Sequence, residues 1–305
     1  MSIQITSAYP GEVLQALLVK ATTGNELVSR GLVRIEPNVS TKFYIPRLKA
    51  SKMLQKRKEQ PEQGDSKGEF KIDERVLEPQ EFMAFTVFNP RSFEKFWRQY
   101  QPTGPLVFRE LPASAQSALL AELAKVVDFE LGDHFINGKQ GSGAEEFFNG
   151  ILTRIEADAE VIEVSAETDA TMIEKLKAVH AGIPKALRSA PGLRILMSVE
   201  DADAYDDELT ARESKGANYT DTNARRFKGI TIEPLANWPS DVIVATVTGT
   251  DLATNLWAGV SMINDFEAVK IDRLTNAGEL YFFKMLMKAD TNIAFGEHVV
   301  MLDAR

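Results

Sequence analysis

Apolar residues recur at three- and four-residue steps between Pro112 and Asn137, where Leu120, Leu123, Val127, Leu131 and Phe135 share one stripe. That is the period of an amphipathic helix. Pro112 suits the first helical turn, and at 1.5 Å per residue the helix would run about 39 Å. A glycine-rich stretch, NGKQGSG (137–143), follows it and leads into FFNGILTRI (147–155). Shorter helices are predicted at Glu12–Ala21, from Val13, Leu14, Leu17 and Leu18, and at Pro90–Tyr100, where Phe93, Phe96 and Trp97 share a face read as core. Thr171–Leu187 forms another, with Asp169 as its N-cap, and the acidic stretch Asp201–Lys215 one more. Strand patterns occur at Leu193–Val199, Lys228–Glu233, Val242–Val247, Glu267–Leu274, Leu280–Lys288 and His298–Leu302, with a hairpin turn at Thr275–Glu279. Helices and strands do not alternate regularly, so the fold class is α+β and a doubly wound nucleotide fold is not expected.

The pattern breaks over residues 49–81. Between Ser51 and Glu81 stand seven Lys/Arg and eight Asp/Glu, with few large apolar residues. Strand-like segments, Lys42–Leu48 and Phe82–Phe88, flank this tongue, and Gly64 and Gly68 mark a turn near its middle. The simplest object with this pattern is a two-stranded ribbon leaving the body, with arms of roughly 50–65 Å at full extension. An isolated ribbon is marginal in water, so its order is expected to come from lying against another molecule. The candidate inter-subunit contacts are Lys52, Lys56, Arg57, Lys58, Glu59, Glu62, Asp65 and Lys67. Exposed ion pairs are individually worth about 0–1 kcal/mol, so association through them is expected to depend on ionic strength.

Composition narrows the function. The 305 residues carry a net charge of −9, the wrong sign for a protein that grips nucleic-acid phosphates over a broad face. With no cysteine, disulfides, thiolate metal sites and cysteine nucleophiles are excluded. No apolar run reaches membrane-spanning length, and the first residues do not read as a signal peptide.

Chemical motifs fail on inspection. Gly132–Lys139 (GDHFINGK) resembles a phosphate-binding loop but has five residues between its glycines where four are needed, and Gln140 where Ser or Thr would hold magnesium. Asp201, Asp203, Asp206 and Asp207 suggest a calcium loop, but Tyr205 and Asp206 occupy positions it cannot give up. His134, His180 and His298 are far apart in sequence and lack zinc-ligand spacing. Glu145 and Glu146 read as a polar loop edge beside a buried Phe147–Phe148 pair. No catalytic, metal or cofactor residues are assigned, and no enzymatic activity is expected.

The order of elements resembles the major capsid proteins of tailed double-stranded DNA phages, the Hong Kong 97 capsid fold. The resemblance spans nearly the whole chain. It lies in the arm and charged loop (41–88), the LGDHFINGKQGSGAEEFFNGILTRI segment (131–155), and the DATMIEKLKAVHAGI and LRILMSVEDADAY pair (169–183, 193–205). It continues through FKGITIEPLANWPSDVIVATVTGTDLATNLWAGV (227–260) and AFGEHVVML (294–302).

The resemblance implies an N-terminal arm (1–40), an E-loop hairpin (41–88), a P-domain (89–158 and 263–297, spine helix about 112–137) and an A-domain (159–262 and 298–305). It implies a subunit that assembles with copies of itself, as pentamers and hexamers, into an icosahedral shell around double-stranded DNA held without sequence-specific binding. The E-loop would lie over a neighbouring subunit. A separate scaffolding protein and a portal would be partners, no membrane would be involved, and assembly would take place in the host bacterial cytoplasm. The chain starts close to the arm, so no fused scaffolding segment is expected. Some relatives join an E-loop lysine to an asparagine on the long P-domain strand, but Glu279–Lys288 holds no asparagine and no such bond is expected. An encapsulin-like compartment shell is the nearest alternative, and a soluble hydrolase or transferase the alternative from another class.

Overall fold

A computed structural model describes residues 25–60, 62–89, 91, 94–100, 103, 113–167, 169–211, 226–262, 269–275 and 280–305. The helix expected at 12–21 and residues 276–279 of the expected hairpin turn lie outside these residues. In chain order the elements begin with α1 (Glu26–Ser29), β1 (Arg34–Pro37), β2 (Phe43–Ala50), β3 (Phe70–Leu77), β4 (Gln80–Phe88), α2 (Glu94–Tyr100) and α3 (Ala113–Asn137). They continue with α4 (Ile151–Glu156), β5 (Ile162–Val164), α5 (Met172–Gly182), β6 (Leu193–Ser198), α6 (Val199–Thr210) and β7 (Arg226–Phe227). Strands β8 (Ile230–Leu235), β9 (Val242–Val247), β10 (Leu256–Met262), β11 (Val269–Arg273), β12 (Tyr281–Ile293) and β13 (Val300–Asp303) complete the chain. The architecture is α+β.

The first sheet is organised around β12. Along one edge β4 pairs with it antiparallel from Tyr281↔Phe88 to Ala289↔Gln80. Along the other edge β11 pairs with its first half and β10 with its second, and β1 lies parallel to β10. The alternation YFFKMLM puts Tyr281, Phe283, Met285 and Met287 on the buried face. There Phe283, Met285 and Met287 meet Ala124 and Val127 of the long helix α3. Phe82–Phe88, expected to return the ribbon, instead belongs to this sheet. Nine consecutive pairings to β12 and the packing of the half-buried Phe82, Ala84 and Phe88 against its core fix it there.

The second sheet runs β5-β13-β9-β6-β8-β7. Both its faces are covered, which explains why all six residues of VIVATV are buried. Val242, Val244, Leu196 and Met301 face a core shared with Phe135 and Ile136 of α3 and with Ile151, Leu152 and Ile155 of α4. The intervening Ile243, Ala245, Ile195, Val300 and Leu302 face α5, through Leu176 and Val179.

Helix α5 is capped by Thr171, not Asp169. The Thr171 hydroxyl accepts from the Glu174 amide while Glu174 accepts from the Thr171 amide, a reciprocal capping box. The helix stops at Gly182, five residues earlier than expected, because Pro184 forces Ile183 into an extended conformation. The phosphate-loop resemblance at 132–139 is removed by folding, since Gly132–Asn137 is the last part of α3.

Candidate assembly interface

The two-stranded ribbon exists, and its return arm is β3. β2 and β3 pair antiparallel in register from Phe43↔Leu77 to Ala50↔Phe70, and the described residues between them, 51–60 and 62–69, form a tip with a 3₁₀ turn at Gln63–Asp65. The strand period of two gives the ribbon two different faces. Tyr44, Leu48, Ile72 and Phe70 lie on one, with Leu48 directly opposite Ile72. All four are open to solvent, from 53% exposed at Tyr44 to 74% at Ile72. The ribbon is therefore not merely a charged object: its outward face carries four exposed apolar side chains, with Glu74 the one charged residue on it. Side chains of this size contribute roughly 1.5–3 kcal/mol each when fully buried.

The opposite face is held by the chain's own body. Ile45 packs with Leu77, Trp257 and Ala294. Arg47 is buried, with Nε donating to Asp73 Oδ1 at 2.7 Å and Nη1 donating to Glu160 Oε2 and to the Ala294 carbonyl, each at 3.1 Å. Arg75 donates to Asp158 and to Glu160 Oε2. Lys49 Nζ lies 3.3 Å from Glu160 and 3.5 Å from Glu297. Burial works against the Glu160 carboxylate, but the bonds from Lys49 and Arg47 outweigh it and hold its pKa below the usual carboxylate value.

The contact residues expected from sequence all lie in the tip. Lys52, Lys56, Arg57, Lys58, Glu59, Glu62 and Lys67 are exposed. Lys58 pairs with Asp65 within the tip, Asp65 Oδ2 accepts from the Glu62 amide at 3.1 Å, and Lys67 Nζ reaches the Leu54 carbonyl at 3.4 Å. The Lys58 ammonium first, and the Glu62 amide next, hold the Asp65 carboxyl below its ordinary range.

A second exposed apolar surface lies on the outer face of the first sheet. Met83, Phe85 and Val87 of β4 stand there at 57%, 50% and 40% exposure, beside their partners Leu286, Lys284 and Phe282 on β12. Lys288 and Glu81, 2.6 Å apart, close one end.

Sequence reasoning missed Tyr44, Leu48, Phe70 and Ile72, as well as Arg47 and Arg75. The signal for the first set was present: Phe70 and Ile72 stand two apart within the charge-dense stretch, as do Tyr44 and Pro46 before it. β12 also runs five residues past its expected end and so includes Asn292. That amide is nearly buried and donates from Nδ2 to the Val76 carbonyl at 2.8 Å.

The remaining polar clusters are built as parts of the fold. The Asp201 carboxylate accepts from the Asp241 amide and its backbone amide is capped by Ser198. Burial pushes its pKa up. His134 stacks on Phe147 at 4.8 Å, and its ring nitrogens face the Glu130 and Glu145 carbonyls. Among the described residues no cluster of three or more His, Asp or Glu is placed to hold a metal ion.

No family model and no curated protein matches the sequence. Solved structures do match over nearly the full length. The structure of the satellite phage P4 procapsid with its size determination protein contains a chain that aligns at TM-score 0.62 and 12% identity, covering 99% of this chain and 93% of that one. The capsid of Myoviridae phage XM1 aligns at TM-score 0.59 and 10% identity, over 90% of each chain. This is the Hong Kong 97-type capsid fold. The holo-SrpI encapsulin complex from Synechococcus elongatus PCC 7942 aligns at TM-score 0.54 and 12% identity, over 100% of this chain and 92% of that one, so the Hong Kong 97-type fold is common to phage heads and an encapsulin.

Proposed function

We propose that this chain is a structural shell subunit, the major capsid protein of a tailed phage or prophage, and that it is not an enzyme. The observation that carries the reading is the pair of exposed apolar surfaces on a capsid-type fold: the ribbon face of Tyr44, Leu48, Phe70 and Ile72, and the sheet face of Met83, Phe85 and Val87. Each ribbon face docks on the outer sheet face of a neighbouring copy. The contact is head-to-tail, so a rotation that closes it makes rings, and rings of five and six make a shell. Individually moderate contacts, made together around each subunit, become collectively tight while still letting misplaced subunits leave.

The shell encloses double-stranded DNA without reading its sequence, in keeping with a net charge of −9, since a negative lining repels phosphates and lets the duplex slide. Assembly takes place in the bacterial cytoplasm with a separate scaffolding protein and a portal. The domain division is the one expected from the resemblance. β4 and β10 are exceptions: their pairing with β12 supports placing both with the P-domain sheet, rather than with the E-loop and the A-domain.

Electron microscopy of the purified chain, alone and co-expressed with its neighbouring genes, tests the reading. Icosahedral particles are expected. Particles holding DNA support a phage head, particles holding a single protein cargo support a compartment shell, and a chain that stays monomeric under both conditions overturns the proposal.

A further inference from the structure

The inner face of the ribbon contains one of the few charged residues that are buried among the described residues. Arg47 sits on β2, its side chain 8% exposed, and directly opposite Asp73 on β3. Its guanidinium makes a two-pronged contact with Asp73, at 2.7 Å from Nε and 2.5 Å from Nη2. A third direction is taken by Glu160 and the Ala294 carbonyl, and the Phe295 ring lies beneath it at 5.9 Å. Arg47 therefore joins three parts of the chain that sequence separates widely: both ribbon arms, the loop after α4, and the end of β12.

Arg75 and Lys49 reach the same loop from either side, through Asp158 and Glu160. The loop can approach because residue 296 is glycine: a Cβ there would stand 2.7 Å from Asp158 Oδ2 and 2.7 Å from Glu160 Cβ. A planar guanidinium bound on three edges fixes direction as well as distance, which an ammonium cannot do.

We propose that Arg47 is a positioning residue that aims the ribbon in the free subunit, so that its apolar face is already directed outward before a second copy arrives. The ribbon's order then comes first from its own chain. Holding a binding element in its bound direction lowers the ordering cost of association, so the lock acts on the concentration at which subunits assemble. This inference rests on the reading of the ribbon face as the docking surface for a second copy.

The chain lacks cysteine, so Ser66→Cys at the tip and Ala204→Cys on α6, both exposed, give two unique labelling positions. Pulsed dipolar spectroscopy on the unassembled, full-length chain reads the distance between them. The parent is expected to give one narrow distribution. Arg47→Met is expected to broaden it about two-fold or more, and Arg47→Lys, which keeps the charge but not the fork, to fall between. Should Arg47→Met fail to fold, Glu160→Gln tests the same lock from the other side.

Equal widths in the parent and in both Arg47→Met and Glu160→Gln overturn the proposal, as does a parent distribution that is already broad. On unlabelled protein, the threshold concentration for assembly is expected to rise several-fold in Arg47→Met. An unchanged threshold with a broadened ribbon removes the positioning role and leaves the docking reading intact. Broadening in a chain whose parent never assembles leaves the lock standing and removes the docking reading instead.

Discussion

Arg154 Nη2 donates to Asp290 Oδ1 at 3.0 Å across the junction between α4 and β12, and Asp290 is only 2% exposed there. The same carboxylate accepts from the Glu78 amide at 2.8 Å and the Thr291 amide at 2.9 Å. One buried side chain thus ties the ribbon–sheet corner, the long strand and the short helix together. Burial pushes its pKa up, with the Glu78 amide and Arg154 opposing.

Removing that carboxylate strands the Arg154 charge and two amides. Asp290→Ala is expected to cost about 3–5 kcal/mol, read as a lowered urea midpoint. Asp290→Asn keeps one acceptor oxygen, enough for one of the two amides, and is expected to lose less. A loss in Asp290→Ala of under about 1 kcal/mol would show that solvent reaches the corner.

The apolar ribbon face makes a prediction opposite in kind. Leu48→Asp and Ile72→Asp alter side chains that touch little in the free chain, so the monomer is expected to keep its thermal midpoint. Particles should be lost, by light scattering and electron microscopy. Phe85→Asp, on the sheet face, should do the same, and deleting residues 56–65 should block shells while leaving a folded monomer. Normal particle yield from both Leu48→Asp and Ile72→Asp would refute the docking surface.

Acid should weaken the fold through two histidines. His298 is held below the usual imidazole pKa, first by burial and also by Lys49, with Glu297 opposing. His180 is held low by burial, then by Lys228 and Arg188. The unfolded chain takes up these protons near the ordinary value of about 6.5, while the folded chain resists. Stability is therefore full above that value and falls as pH drops through it, levelling off below the folded pKa values. Comparing urea midpoints at about pH 8 and pH 5.5 checks this. His298→Gln should remove part of the fall, and an identical fall in that variant would exclude His298 as a source.

Gly150 starts α4 at φ −73°, a conformation open to any residue, so space and not backbone freedom demands the glycine. A Cβ there would come within 2.5 Å of the Ile136 carbonyl oxygen and 2.6 Å of the Gly138 nitrogen. Gly150→Ala is expected to cost about 1–3 kcal/mol, measured by calorimetry, by separating α4 from the end of α3.

That last position shows what sequence could and could not carry. The block NGIL was visible in sequence as part of the resemblance, but not why Gly150 is needed, because the clash is with residues fourteen and twelve positions away. α3, β9 and β12 were legible because their apolar patterns survive burial: five of the six residues of VIVATV are apolar since both faces are covered. The assignment of Phe82–Phe88 failed for a different reason. An alternating strand looks the same whichever partner it takes, and β4 chose β12 over β2 through Phe82, Ala84 and Phe88, which meet a core that sequence does not locate. Arg47 was hidden because a buried arginine within a charged stretch has no local signature. Its partners lie at 73, 160 and 294.

Only Glu78 and Pro79 separate the end of β3 from the start of β4, and proline stiffens that step by fixing φ. A pull on the ribbon is thus passed straight into a strand bonded to β12 along nine residues. The load runs along the ladder, so the pairs resist together instead of parting one at a time. A wall under outward pressure would draw on that arrangement, with tension carried from ribbon to sheet within each plate through the backbone itself.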